Sequence, residues 1–159
     1  MDLVLMRTIP PAGDKRDGGS AVHEASRVKR HAATSQVQYL RDHIRFIVHQ
    51  GRQILLLDLS NCSPAEVEKI FRAVPEVVTA CPRGSVLILS DFRGASVNQE
   101  AIRVMKETAI FDKPYVKKSA VTGTESLPPL FYENLGSFAR REFPAFATRE
   151  LALAWLVKD

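Results

Sequence analysis

The sequence predicts an α/β domain built on a mixed sheet, and three observations carry that expectation. From Leu40 onward, apolar stretches of strand length alternate with stretches of helical periodicity. One strand, Gln53–Leu59, is apolar at the consecutive positions Ile54, Leu55, Leu56 and Leu57, as happens when both faces of a sheet are covered. The first two strands are joined by a tight turn at Gln50–Gly51, too short a link for a crossover, so they form an antiparallel hairpin. The later strands are separated by helices and pair in parallel through right-handed crossovers.

Taken in order, Arg45–His49 and Gln53–Leu59 form the hairpin. Ser63-Pro64-Ala65-Glu66 then supplies a capping box with proline at the first helical position. Val67, Ile70, Phe71, Val74 and Val78 follow at spacings of three and four, one buried stripe of a helix. Pro75 sits inside that stripe and removes the bond to the Phe71 carbonyl, so a kink is expected there. Ser85–Leu89 is the next strand, and Asn98–Ile110 a helix with Ile102, Met105 and Ala109 inward. Val116–Thr122 is a strand and Leu127–Ala139 a helix, with Pro128 and Pro129 in its first turn, where missing N–H groups cost little. Phe143–Phe146 is a short last strand. Thr148 caps a closing helix that pairs Leu151 with Trp155 and Ala152 with Leu156, so Trp155 is expected to anchor this helix on the sheet. The predicted order is ββαβαβαβα, helices packed on the sheet.

All twelve aromatic residues lie at or beyond Tyr39. The first 36 residues hold three glycines, two prolines and scattered small and charged side chains. Such a segment buries too little to offset ordering costs of about 1–2 kcal/mol per residue. Residues 1–36 are therefore expected to be a flexible tail and residues 37–159 the domain. The net charge of +4 is spread evenly: six Lys/Arg against four acids up to residue 36, sixteen against fourteen beyond it. Lys117–Lys118 and Arg140–Arg141 are the paired basic positions of the domain, which is not the gathered footprint that nucleic-acid binding needs. No apolar run approaches the roughly 20 residues of a membrane span. Cys62 and Cys81 form no CxxC pair, so neither a metal site nor a disulfide framework is expected, and the reading is of a cytoplasmic protein with free thiols.

Three stretches carry a family resemblance. They are ILLLDLSNCSPAEVEKIF (54–71), SVLILSDFRGASVNQEAIRVMKE (85–107), and YVKKSAVTG (115–123) with FPAFATRELALAWL (143–156). Together they resemble the SpoIIAA-like family, which is related to STAS domains and to Sec14-type folds. The resemblance implies a mixed sheet with a hairpin edge and a non-enzymatic role in regulation or protein partnering. It also implies an alternative role, binding a small lipid-like molecule; an enzyme comes third. STAS antagonists carry Asp-Ser-Ser-Gly at the start of their second helix, where a serine is phosphorylated. This chain has Ala95-Ser96-Val97-Asn98, so Ser96 is the nearest hydroxyl.

Ligands of parallel sheets settle beyond the carboxyl ends of the strands. The loops expected there offer Asp58, Asp91, Gly94, Ser96, Asn98 and Thr124 as a partner or anion-binding surface. Tyr132, Phe138 and Trp155 are the candidates for an apolar-ligand groove. Cys62, just before the first helix, is either a thiol with a lowered pKa or a buried small residue. G-x-S-x-G, H-E-x-x-H and P-loop patterns are absent. No cofactor, metal or catalytic residue is expected, and the partner is another protein.

If residues 1–36 are dispensable, a chain beginning at Val37 melts within a few degrees of the full chain. A large drop in melting temperature would mean that the tail packs on the domain.

Overall fold

The computed structural model describes residues 35–128, 140 and 142–159. The chain divides into two compact units, residues 1–39 and 40–159. Of the first, residues 35–39 are described, and they are helical. The expected tail (1–36) thus lies outside the described residues except at its last two positions. So does the helix expected over 127–139, beyond Leu127 and Pro128, together with Tyr132 and Phe138.

The second unit holds a five-stranded mixed sheet in which strand order follows chain order: β1 (Ile44–His49), β2 (Arg52–Asp58), β3 (Val86–Asp91), β4 (Val116–Thr122) and β5 (Ala145–Phe146). β1 runs antiparallel to β2, and every later pair is parallel. Helix α1 (Pro64–Val78) follows β2, α2 (Gln99–Asp112) follows β3, and α3 (Arg149–Val157) follows β5. After β4 the described chain shows a 3-10 turn, Thr124–Ser126. The last strand is shorter than expected because Pro144 has no N–H to give a ladder; its carbonyl still accepts from Val121 N at 2.9 Å.

Local chemistry explains the elements. Gln50 and Gly51 have φ of 51° and 77°, the left-handed pair that a two-residue hairpin turn requires. Ser63 accepts from Glu66 N while Glu66 accepts from Ser63 N, closing the capping box at the start of α1. The stripe Val67, Ile70, Phe71, Val74 and Val78 is buried as its spacing predicts.

The buried strands divide their side chains between two layers. Leu57, Ile88 and Val121 face α1 and α2, meeting Phe71, Val74, Met105 and Ala109. Ile54, Leu56, Leu87, Leu89 and Ala120 face the other way and cluster with Ala152, Leu153 and Leu156 of α3. This corrects the expected register of α3. Leu151 points outward at 55% exposure, and Trp155 is half-buried at the margin, tilted against Phe146 with ring centroids 5.8 Å apart. Lys118 reaches over the Trp155 ring at 4.4 Å and donates to the carbonyls of Trp155 (2.7 Å) and Lys158 (2.6 Å). Arg52 donates to Val157 O at 3.1 Å. Two cations thus close the carboxyl end of α3, where the helix dipole favours them.

Helix α1 runs through Pro75 without a break. Proline cannot donate to the Phe71 carbonyl, and that carbonyl is buried between two helices. Thr108 of α2 supplies the missing donor, its hydroxyl reaching Phe71 O at 3.2 Å. Interhelical hydrogen bonding here replaces an intrahelical one.

Replacing Thr108 with valine leaves that carbonyl unsatisfied and should lower stability by about 1–3 kcal/mol, read as the urea midpoint at constant m-value. In a Pro75→Ala background the backbone N–H returns to Phe71 O, so the same substitution should cost clearly less. Equal costs in the two backgrounds would show that Thr108 acts by packing alone.

Candidate functional site

Parallel pairing brings Asp58, Asp91 and Thr122 into one row across the carboxyl end of the sheet, since Asp58 is in register with Asp91 and Asp91 with Thr122. The loops that follow are stitched together by main-chain bonds. Leu59 N donates to Asp91 O (2.9 Å), Asn61 N to Arg93 O (2.7 Å), Ser96 N to Cys62 O (2.9 Å) and Phe92 N to Thr122 O (2.9 Å). Ser126 Oγ donates to Ala95 O at 2.9 Å. Gly94, at φ 70°, lies against the Asn61 side chain, and Gly123, also at φ 70°, lies against the Arg93 backbone; a Cβ at either position would collide. These three loops therefore act as one braced surface.

Asp91 is at its centre, its side chain only 1% exposed. Arg149 donates to Oδ2 at 2.6 Å, Arg93 Nε lies 3.2 Å from both oxygens, and the Arg93 backbone N–H donates to Oδ1 at 3.1 Å. Burial pushes the Asp91 carboxyl upward, but the bonds from Arg149 and Arg93 outweigh it and hold the group below the usual carboxylate range. Arg149 is the first residue of α3, where the helix dipole disfavours a cation. That misplacement is the signal by which the sequence could have revealed Arg149; Arg93 and Thr122 carried no comparable mark.

The other candidates separate by role. Asp58 Oδ1 accepts from Ser60 N (3.1 Å) and Ser60 Oγ (2.6 Å), closing the turn after β2. Its carbonyl lies 2.6 Å from His43 Nδ1, which must be the donor because a carbonyl only accepts. Asn98, not Ser96, caps α2, accepting from Ala101 N at 2.9 Å. Ser96 is exposed, and its hydroxyl makes no hydrogen bond among the described residues. Thr124 opens the 3-10 turn and is half-buried. Cys62 is buried; that burial first, then the charges of Glu66 and Asp58, push its thiol up to about 11, so the lowered-pKa option fails.

Two concavities among the described residues bear on these candidates. Asp91, Arg93, Thr122, Gly123, Thr148 and Arg149 line an open cleft of about 450 Å³ with Glu125 and Glu150 at its rim. Two arginines against three acids do not make it an anion site, whatever the α3 N-terminus contributes. On the opposite face, Phe71, Phe92, Met105, Ser119 and Phe143 enclose about 30 Å³ beneath α1 and α2. That is room for a water or two, against the roughly 300–1,000 Å³ of a ligand pocket. Trp155 does not line it, packing instead on the α3 side. Among the described residues no three His, Cys, Asp or Glu are grouped to hold a metal ion, and no helix is long and apolar enough to cross a membrane.

No protein-family model matches the chain, and no curated protein matches it. Its fold is similar to that of an uncharacterized protein of the DUF3478 family from Shewanella loihica PV-4, a crystal structure described as SpoIIAA-like. The TM-score is 0.57 at 16% identity, over 71% of this chain and 91% of that one. The likeness is one of fold, and the SpoIIAA-like fold is the one the sequence resemblance implied.

Since the folded Asp91 pKa is depressed, its contribution to stability is present above the unfolded carboxyl value near 4 and lost as pH falls through the lower folded value. Asp91→Asn should flatten that part of the stability–pH curve in denaturant titrations. At neutral pH, Arg149→Ala should cost about 1.5–3 kcal/mol by stripping a buried charge of its closest donor. An unchanged acid limb in Asp91→Asn would assign the pH dependence to other carboxylates.

Proposed function

We propose that the domain is a non-enzymatic regulatory module that engages another protein through the Asp91–Asn98 loop and the start of α2. One observation carries this reading: the loop is exposed yet braced. Arg93 is 66% exposed on its side chain, and Gly94, Ser96 and Asn98 are exposed, while the backbone beneath is tied to the neighbouring loops. A surface already ordered before contact loses little conformational entropy on binding, which is what a recognition patch requires.

The polar groups nearby are engaged in holding that surface rather than poised for reaction. Asp91 is occupied by two guanidiniums, Asp58 by Ser60, and the Cys62 thiol is buried and protonated at neutral pH. The apolar-ligand alternative is not favoured, because the enclosed space beneath α1 and α2 is of water size and Trp155 lies on the opposite face.

The test is a quantitative pull-down from lysate of the source organism, with thermal melts alongside. Ser96→Asp should lose the partner and keep the parent melting temperature, because an acid near a helix N-terminus suits the dipole while changing the charge the partner meets. Ser96→Ala should retain both, since Asn98 holds the cap. Full partner retention by Ser96→Asp would remove this loop from the interface.

A further inference from the structure

Strand β4 is paired on only part of one side. β5 is in register with Val121 and Thr122 alone, so the stretch Val116–Ala120 has no neighbour on that edge among the described residues. Val121 N bonds outward to Pro144 O, and by alternation the main chain of Ser119 points to the same open edge. Ser119 is buried at 5% exposure, and its hydroxyl has no hydrogen-bond partner. That hydroxyl shares the Val121 face of the strand and borders the small cavity beneath α1 and α2; it is the unpaired main-chain N–H and C=O groups of the edge that call for an occupant.

The chemistry around the edge indicates which. The β3–β4 register slips by one between Val86 and Leu87, leaving Lys117 as the extra residue of a bulge. Lys113, Lys117, Lys118, Ser119, Glu142 and Trp155 line a cleft of about 270 Å³ beside it. Lys118 is committed to the carboxyl end of α3. The side chains of Lys113 and Lys117 are exposed and make no ion pair or hydrogen bond among the described residues. Three lysines against one glutamate set the sign of the cleft. Lysines and a bulge also keep ordinary strands from adding to an open edge. The same charges that repel a neutral or basic strand select an acidic one.

We propose that the open half of β4 is a docking edge for an acidic, extended segment of a partner protein, which adds a strand beside Val116–Ala120 and lays its carboxylates against Lys113 and Lys117. Main-chain bonds give this mode its affinity, and side-chain charge its selectivity. The edge is separate from the Asp91–Asn98 loop and does not depend on it.

Trp155 lines the cleft and is the only tryptophan in the chain, so its emission reports occupancy. The full-length protein is titrated with a capped hexapeptide alternating glutamate and valine. A saturable change in emission that weakens with added salt is expected. Lys113→Glu combined with Lys117→Glu should weaken binding at least tenfold, while Arg45→Glu, on the strand at the far edge, should leave it unchanged. The same peptide N-methylated at alternate residues should not bind, because its main-chain donors are gone. No emission change with the parent peptide would overturn the proposal, as would equal binding by the N-methylated form or equal weakening by Arg45→Glu. Full competition by inorganic phosphate at matched charge would reduce the site to simple oxyanion binding and overturn strand addition.

Discussion

The Asp91 side chain is 1% exposed, and a carboxylate that deep persists either by giving up its charge or by recruiting cations. Here it recruits two, from places remote from each other in sequence. Arg93 belongs to the loop leaving β3, and Arg149 to the first turn of α3. One buried charge thereby fixes where the last helix begins and how the loop after β3 turns. The geometry of the carboxyl end follows from that: with Arg93 held back on Asp91, its carbonyl is placed for Asn61 N, and Gly123 can pass against its backbone. A well-packed apolar residue at this position need not be less stable, because desolvating an ion pair often cancels its attraction. The charge would then no longer single out one orientation for α3, whose sequence, nearly all apolar from Leu151 to Val157, has little else to choose with.

Much of this was legible locally. The hairpin, the capping box and the α1 stripe were read from signals within a few residues of each other, and each stands where expected. The α3 face was misread for the converse reason: when almost every position is apolar, periodicity cannot say which side faces the sheet. Ser96 and Asn98 are both good capping types two residues apart, and only the bond to Ala101 N distinguishes them.

The site was legible in its acids and not in its cations. Strand-end aspartates announce themselves by interrupting apolar runs, but Arg149 lies 58 positions from its partner, and pairing at that distance is set by the fold. The Phe71 carbonyl is the same case. Pro75 advertised an orphaned acceptor, while the donor, Thr108, sat 37 residues away in a helix whose own pattern gave no reason to mark it. Sequence shows where a need arises; tertiary structure shows how it is met.

The sheet order β1-β2-β3-β4-β5 is the order of the chain itself. No strand must be threaded between two others, so each newly formed strand finds its template already in place, beginning from a two-residue hairpin that closes on the microsecond scale. Each parallel pairing still waits on a crossover of more than twenty residues, but at every step the growing sheet offers the next strand the edge just formed. Doubly wound sheets reverse direction midway, and the reversal opens a crevice for ligands. A sheet whose described strands grow in one direction has no such switch point, so sequential assembly and an unbroken row of strand ends are two results of one topology.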